Sequence, residues 1–159
     1  MADIVSPEVR SRIMAGIRGR DTLPELRVRS QLHKAGLRFR LHRRDLPGRP
    51  DIVLPQWNAV IFVHGCFWHR HSGCPKATMP ATNHEFWTRK FQANVQRDAR
   101  NRIALRKLGW KVYTVWECRT EERQIANIIA RITMRSRRSW ANRRRGRLPE
   151  ASPPHKWVR

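Results

Sequence analysis

The first periodic segment of the chain predicts a helix over residues 23–35. Its apolar side chains recur at spacings of four and seven residues, which places them on one helical face: Val28, Leu32 and Ala35. Thr22 and Glu25 form a capping box at its start, in which the glutamate returns to the backbone N–H of the threonine. The pattern therefore predicts a capped, half-buried helix.

Three strand patterns follow this helix. Strict alternation of apolar and basic residues over 37–41 predicts a half-buried strand, and the Pro-Gly pair at 47–48 predicts a turn after it. Apolar runs over 51–54 and 59–63 predict two more strands. The run over 59–63 has no polar position, so we expect it to be a central strand that is buried on both faces.

Two further helices enclose a fourth strand. Apolar residues at every fourth position predict a helix over about 83–108, with one broad face: Trp87, Phe91, Val95, Ala99 and Ile103. A strand is predicted over 111–116, and a last helix has a second apolar face: Ile125, Ile128, Ile129 and Ile132. The order α-β-β-β-α-β-α predicts an α/β fold with a mixed central sheet flanked by helices, and one domain over 21–135.

Charge changes this picture of an ordinary globular domain. The chain of 159 residues has 34 Lys+Arg and 12 Asp+Glu, which gives a net charge of +22 and favours a nucleic acid as partner. Residues 1–20 are predicted to be a basic arm, and 136–159 an Arg-rich, flexible tail without an apolar period. No apolar run approaches the roughly 20 residues of a membrane span, and the polar N-terminus predicts a cytoplasmic, nucleoid-associated protein.

The three cysteines and one histidine form a candidate metal set. Cys66, His71 and Cys74 lie close together in the chain, and Cys118 follows the predicted strand 111–116. Sulfur and imidazole ligands in a set of four are what tetrahedral Zn²⁺ prefers, and a site with four protein ligands is structural. Ordinary reduced cysteines beside a surface histidine are the alternative interpretation. The use of all three cysteines in one set favours the structural zinc site.

A carboxylate and two histidines form a candidate catalytic set. Asp51 begins a predicted strand directly after a proline, where it can hold Mg²⁺ against a phosphate. A structural turn aspartate is the alternative reading of that motif alone. His64 and His69 follow the next strand, and an imidazole suits a general base that takes a proton from water.

Five segments of the chain form one recognisable set: RPD at 49–51, VIFVHGCFWH at 60–69, HEFW at 84–87, NVQRD at 94–98 and GWKVYTVWEC at 109–118. Together they resemble one family, the very-short-patch repair (Vsr) DNA mismatch endonucleases, a branch of the restriction-endonuclease-like PD-(D/E)XK fold. The resemblance spans about residues 5–135 with order and spacing kept.

This resemblance implies a role for each matching residue of the candidate catalytic set. Asp51 would be the Mg²⁺ carboxylate, and Val63 would supply a main-chain carbonyl to the ion, although better-known members have threonine there. His69 would be the general base, and His64 would assist at the phosphate. Glu25 matches an active-site glutamate, a role that competes with its role in the capping box.

The resemblance also implies how DNA is read. A T:G wobble pair is deformable, so apolar side chains can be inserted beside it at low cost. Phe67, Trp68 and Trp87 would form this wedge from the major groove, and Met14 would enter from the minor groove. Trp87 also fits the apolar helical face, so a core position is the alternative for that residue.

The implied activity is a Mg²⁺-dependent nick, made 5′ of the thymine in a T:G mismatch that arises from deamination of 5-methylcytosine. The expected partners are mismatched double-stranded DNA and repair proteins, and one active site suits a monomer. Two alternatives remain open from the residues. One is an HNH-type nicking nuclease that uses His64, His69 and His71; the other is a non-catalytic, zinc-stapled DNA-binding protein.

Overall fold

Within residues 19–145, three helices and four strands follow one another in the predicted order. The computed structural model describes residues 19–145 together with Val9 and Arg12, with side chains as far as Met134. The elements are helix α1 (Leu23–Lys34), strands β1 (Arg40–Leu41), β2 (Ile52–Leu54) and β3 (Ala59–His64), helix α2 (His84–Lys107), strand β4 (Lys111–Trp116) and helix α3 (Glu122–Arg145). Short 3₁₀ turns lie at Pro55–Trp57 and Glu117–Arg119.

The four strands form one mixed sheet in the order β1-β2-β3-β4. The first two pairs are antiparallel, and β3 pairs with β4 in parallel. Strand β3 is central, as predicted, and Ala59, Val60 and Ile61 are fully buried, whereas Phe62 and Val63 at the end of the predicted run are half-buried. Because β3 and β4 are parallel, the residues that follow them emerge at the same edge of the sheet.

Helices cover both faces of this sheet. On one face, α1 and α3 contribute Val28, Leu32, Ile125 and Ile132 to a core shared with alternate sheet residues such as Ile61. On the other face, Leu105 of α2 packs with Val53 and Val60. The predicted mixed sheet flanked by helices is therefore confirmed as a three-layer α/β arrangement.

The first strand is much shorter than predicted. Alternation over 37–41 predicts five residues, but only Arg40 and Leu41 pair with β2. Pro55 begins a 3₁₀ turn directly after β2, so the neighbouring strand ends before it can pair with the rest of the segment. Leu37 and Phe39 still pack into the core, so the alternation correctly predicts which side chains of this segment are buried.

The apolar face predicted for α2 is correct at its start and wrong further along. Trp87 and Phe91 are buried, whereas Val95 and Ile103 are 44% and 54% exposed. A helix has 3.6 residues per turn, so a stripe of every fourth residue advances by about 40° at each step and winds around the helix. Leu105, which is outside the stripe, is fully buried instead.

The predicted arm and tail are described only in part. Helix α3 continues past residue 135 to Arg145, beyond the end of its apolar period. Residues 146–159 and most of the predicted arm lie outside the described residues, and Met14 is among them. Within the described part of the chain, none of the helices combines the length and the apolar character that a membrane crossing requires.

Candidate active site and metal centre

Asp51 stands at the junction between a tight turn and strand β2. Its carboxylate Oδ2 accepts a hydrogen bond of 2.7 Å from the backbone N–H of Val63, on the neighbouring strand β3. Arg49, two residues earlier, has a positive φ of 48°, and Pro50 is buried. The turn and the N–H of Val63 together hold the carboxylate beside the end of the central strand.

Burial is the main influence on the ionisation of this carboxylate. It raises the pKa of Asp51 from 3.8 to about 6; the hydrogen bond from Val63 acts in the opposite direction, and the negative charge of Glu25 adds to the rise. The ionised form is therefore costly in the metal-free protein. A cation beside Asp51 would remove that cost.

Glu25 is buried, with 3% of its surface exposed, and it makes the predicted capping interactions. Its Oε1 accepts from the hydroxyl of Thr22 at 2.9 Å, and its Oε2 accepts from the backbone N–H of Asp21 at 3.1 Å and from Arg29 at 2.7 Å. The capping role is confirmed. The active-site role stays a prediction, and both carboxylate oxygens already have hydrogen-bond partners.

The two predicted histidines lie against each other at the end of β3. The rings of His64 and His69 are stacked, with centroids 3.8 Å apart and an interplanar angle of 11°. Burial, and then the neighbouring charge of His69, lower the pKa of His64 to about 3. His64 is therefore a neutral ring at physiological pH.

Asp98 is a site residue that the sequence reasoning did not single out. Its Oδ2 lies 2.5 Å from Nδ1 of His69. Burial acts to raise the pKa of Asp98, but the hydrogen bond from His69 and nearby positive charges outweigh it, so the pKa lies below its ordinary value. An ionised Asp98 accepts Nδ1–H and leaves Nε2 of His69 as the proton acceptor.

A signal for Asp98 was present in the sequence. It follows the buried Phe91 by seven residues on α2, a rotation of about 700°, so the two residues lie on nearly the same helical face. An acidic side chain on a buried helical face requires a partner. The pattern thus pointed to a buried carboxylate, although not to His69 as its partner.

One cleft of about 600 Å³ brings these groups together. Lys90 and Arg97 supply positive charge at its wall. The candidate catalytic residues that line it are Glu25, Asp51, Val63, His64, His69 and Asp98. His71, the third histidine of the HNH alternative, is not among the lining residues.

His71 lies instead in the predicted metal set. Its Nδ1 is 3.5 Å from Sγ of Cys66 and 3.2 Å from Sγ of Cys118, and with Cys74 the four ligand atoms all lie within 4.8 Å of one another. Cys66 follows β3 and Cys118 follows β4, so the parallel strand pair brings the two parts of the set together. The predicted proximity of the four residues is confirmed.

The chemistry and spacing of this group fit Zn²⁺. Sulfur and nitrogen ligands around a tetrahedral zinc lie roughly 3.6 Å apart, given the usual metal–ligand bond lengths of about 2.3 and 2.0 Å. Burial raises the pKa of Cys66 to about 12, so a metal is needed to hold its sulfur as a thiolate. The identity of the metal stays a prediction.

The segment from Cys66 to Cys74, which carries three members of the metal set, also carries two rings of an aromatic cluster, Phe67 and Trp68. The ring of Phe67 lies 5.1 Å from Trp68, 5.6 Å from Trp87 and 5.1 Å from Phe91, measured between centroids. Phe67 and Trp68 are half-buried, whereas Trp87 is 7% exposed. Trp87 therefore occupies the core position that was its alternative, beside the two more exposed rings, and its role in DNA binding stays a prediction.

Polar contacts fix this loop to α2. The side-chain amide of Asn94 donates to the carbonyl of Trp68 at 3.1 Å, and the pair of His69 with Asp98 lies one helical turn further along. The guanidinium of Arg70 lies 4.7 Å from the ring centroid of Phe91. The aromatic side chains and the candidate base are thus carried by one anchored segment.

Comparison with known proteins points to one family. The sequence model described as "DNA mismatch endonuclease Vsr" matches residues 2–76. The chain is 51% identical over 118 residues to the type II nicking enzyme V.XorIIP of Xanthomonas oryzae pv. oryzae, a match that covers 74% of this chain and 86% of the relative. It is 47% identical over 124 residues to the DNA mismatch endonuclease Vsr of Escherichia coli, with 78% and 79% covered. The type II nicking enzyme V.NmeAIP of Neisseria meningitidis is 42% identical over 125 residues, with 79% and 89% covered.

Proposed function

The chain belongs to the Vsr family of DNA mismatch endonucleases, and from that membership we propose that it makes a Mg²⁺-dependent nick 5′ of the thymine in a T:G mismatch. Its relatives are named as DNA endonucleases and nicking enzymes, so the chain is an endonuclease that acts on DNA. T:G mismatches arise when 5-methylcytosine deaminates, and a nick beside the thymine begins its replacement. The proposal includes action as a monomer and transfer of the nicked DNA to repair proteins.

The observation that carries this proposal is the cleft in which oxygen donors face two stacked histidines. Mg²⁺ prefers oxygen ligands and keeps several waters. The carboxylate of Asp51 and the main-chain carbonyl of Val63 are such donors, on residues that are joined by the hydrogen bond between them. Bound Mg²⁺ would supply Lewis-acid catalysis and neutralise charge at the scissile phosphate.

The same two strands support the proposed fold relationship. Asp51 precedes β2 and lies beside Val63 on β3. By the resemblance, Phe62, Val63 and His64 of β3 would stand where the PD-(D/E)XK fold has its Glu-x-Lys residues. In this chain the positions hold apolar and imidazole side chains. The proposed nuclease therefore keeps the metal carboxylate and uses histidine for proton transfer.

His69 is the general base of the proposed reaction. Asp98 accepts Nδ1–H of His69 and orients the ring, so Nε2 is free to take a proton from the attacking water. The negative charge of Asp98 then stabilises the imidazolium that forms. His64 stacks on His69 as a neutral ring and assists at the phosphate by hydrogen bonding.

The aromatic cluster is the proposed mismatch reader. Phe67 and Trp68 lie directly before His69 in the chain. Their insertion beside a T:G pair would therefore place His69, the proposed general base, at a fixed distance from the mismatch along the DNA strand. Trp87 supports these rings from α2 and completes the wedge from the major groove. Met14 would complete it from the minor groove, and Cys66, His71, Cys74 and Cys118 would hold a Zn²⁺ that anchors the loop.

A pair of end-labelled duplexes that differ only in T:G or T:A at one position tests the proposed function. We expect a single nick 5′ of the mismatched thymine with Mg²⁺, and none with EDTA or with the Asp51→Ala protein. Equal cutting of the two duplexes would retain the nuclease but contradict mismatch recognition. Absence of cutting over a panel of flanking sequences would favour a DNA-binding protein without catalysis.

Replacement of the base should separate catalysis from recognition. We expect His69→Ala to lower the single-turnover nicking rate roughly 10²- to 10⁴-fold, the usual contribution of a general base, with little change in affinity for mismatched DNA. Asp98→Asn should lower the rate in the same direction, because an amide in place of the carboxylate no longer stabilises the imidazolium. Rapid-quench kinetics and gel-shift titration in EDTA measure the two quantities.

The exposed His33, at the end of α1, offers a matched control for this prediction. His33→Ala should leave both rate and affinity unchanged. A His69→Ala protein that nicks at the wild-type rate would contradict the assignment of the base, whatever its affinity for DNA.

A further inference from the structure

Beside the cleft, Arg29 of α1 forms ion pairs with two acidic residues near the start of that helix. Its side chain is 11% exposed, and it donates to Oδ1 of Asp21 at 2.5 Å and to Oε2 of Glu25 at 2.7 Å. Glu25 lines the same cleft as Asp51. Arg29 therefore balances negative charge next to the carboxylate that is proposed to hold Mg²⁺.

Arg29 also has a third partner, His42. Its Nη2 lies 3.0 Å from Nε2 of that ring. A guanidinium can only donate, so Nε2 of His42 is the acceptor and the ring hydrogen is on Nδ1. Nδ1 faces Oδ1 of Asp51 at 4.0 Å. The ring therefore directs the positive end of an N–H dipole towards Asp51.

The backbone holds His42 in this place. Its N–H donates to the main-chain carbonyl of Asp51 at 3.3 Å, and Leu41 pairs with Ile52 in the sheet directly before it. His42 has a positive φ of 46°, a conformation that non-glycine residues rarely adopt. The unfavourable backbone conformation thus occurs at the residue whose side chain lies between Arg29 and Asp51, as is common at functional sites.

Two contacts thus act on the two oxygens of Asp51. Oδ2 is held by the N–H of Val63, and Oδ1 faces Nδ1 of His42. Burial and Glu25 oppose ionisation of Asp51, whereas the positive charge of Arg29 and the Nδ1–H dipole of the His42 ring favour it. The pair therefore favours the charged, oriented carboxylate that a divalent cation requires.

We propose that His42, held in one tautomer by Arg29, is a positioning residue that orients Asp51 for metal binding. It acts through Asp51 and does not touch the reacting atoms. This inference rests on the proposed role of Asp51 as a metal ligand. The tests below distinguish a failure of that role from a failure of the positioning role of His42.

Electron paramagnetic resonance can measure the binding of Mn²⁺ to the full chain without DNA. This measurement tests the proposal independently of nicking activity. The difference between wild type and Asp51→Asn defines the site. We expect His42→Ala to weaken Mn²⁺ binding at that site roughly tenfold or more, as is usual for residues that orient a metal ligand. His42→Gln can still accept from Arg29 and donate towards Asp51, and it should recover most of the affinity.

Two further measurements complete the test. Long-range ¹H–¹⁵N spectra of the histidine rings should show the Nδ1–H tautomer for His42, and His33→Ala serves as the matched control in every measurement. An Nε2–H tautomer, or His42→Ala and His42→Gln proteins with wild-type Mn²⁺ affinity, would overturn the proposal. So would a His42→Gln protein that is folded but as defective as His42→Ala.

A failure of the proposed metal-ligand role of Asp51 would give a different result from a failure of the positioning role of His42. If wild type and Asp51→Asn bind Mn²⁺ alike, Asp51 is not a metal ligand, and both inferences are wrong. If they differ while the His42 variants match wild type, the positioning role alone is wrong. Thermal unfolding of each variant shows whether a change in affinity is accompanied by a loss of folding.

Discussion

The Asp51→Asn protein should lose nicking activity and, without metal, unfold at a higher temperature than wild type at pH 8. Asparagine is close in shape to aspartate, and its side-chain oxygen can still accept the N–H of Val63. It lacks the negative charge that Mg²⁺ binding requires. The expected loss of nicking rate is about 10³-fold or more, which corresponds to several kcal/mol of transition-state stabilisation by the metal.

The stability effect follows from the raised pKa of Asp51. In the folded protein the pKa is about 6, above its ordinary value of 3.8, so folding favours the protonated form. The stability that the protonated form contributes is complete below about pH 4 and is lost as pH rises through 6. At pH 8 the ionised carboxylate costs the metal-free fold at most roughly 3 kcal/mol. Asparagine removes that cost, which would raise Tm by at most about 6–12 °C.

Thermal unfolding without added Mg²⁺, from pH 4 to pH 8, measures this effect. The Tm difference between Asp51→Asn and wild type should be near zero at pH 4 and should grow as pH passes 6. Asp45→Asn is the matched control, because Asp45 is exposed and its ion pair with Arg43 lowers the pKa of its carboxyl. It should give no such gain. An Asp51→Asn protein that is less stable than wild type at pH 8 would show that the carboxylate is structural.

The elements and the metal set were predictable because local patterns determine them. The capping box at Thr22 and Glu25, the central strand 59–63 and the four Cys/His residues are each defined by residue type and spacing. Neighbouring strands then bring Cys66 and Cys118 together, a consequence of topology that the chain order of strands already suggested. The helix cap and the central strand need only the sequence next to each residue, whereas the metal set also needs the pairing of β3 with β4.

The contacts around the candidate catalytic residues were harder to predict from the sequence. Asp98 reaches His69 across 29 positions of the chain, and the path from Arg29 through His42 to Asp51 joins a helix to two strand ends. The contacts of Asp98 with His69 and of Arg29 with His42 depend on how helices are rotated against the sheet. The winding of the apolar stripe on α2 shows how little the sequence pattern fixes that rotation.

The second large effect is expected on removal of the metal set. Cys118→Ser should lower zinc content from about one ion per chain to a small fraction, because a structural site needs all four ligands. As a ligand, Cys118 would tie the loop after β3 to the end of β4. Loss of a structural metal is among the few changes that cost more than about 4 kcal/mol, which would lower Tm by at least about 8–16 °C.

Nicking should fall in the same protein, since the loop also carries His69. Displacement of a catalytic group by about 1 Å can cost roughly a hundredfold in rate. Metal analysis by mass spectrometry, thermal unfolding and the T:G nicking assay with excess Mg²⁺ measure the three effects. His84→Ala is the control, because His84 is an exposed histidine at the start of α2 that lies outside the metal set.

Other contacts also hold this loop, and their strength determines how a Cys118→Ser protein without any defect would be interpreted. The hydrogen bond from Asn94 to Trp68 and the pair of His69 with Asp98 also hold this segment, but an ordinary hydrogen bond contributes only about 0.5–1.5 kcal/mol and a charged one about 1.5–3. These contacts alone are too weak to replace a zinc site. If Cys118→Ser keeps both its Tm and its nicking rate, the loop is held by its packing against α2, and the four residues are not required as a metal centre. If both fall together while His84→Ala is unchanged, the metal set is what keeps the base and the aromatic wedge in register with Asp51.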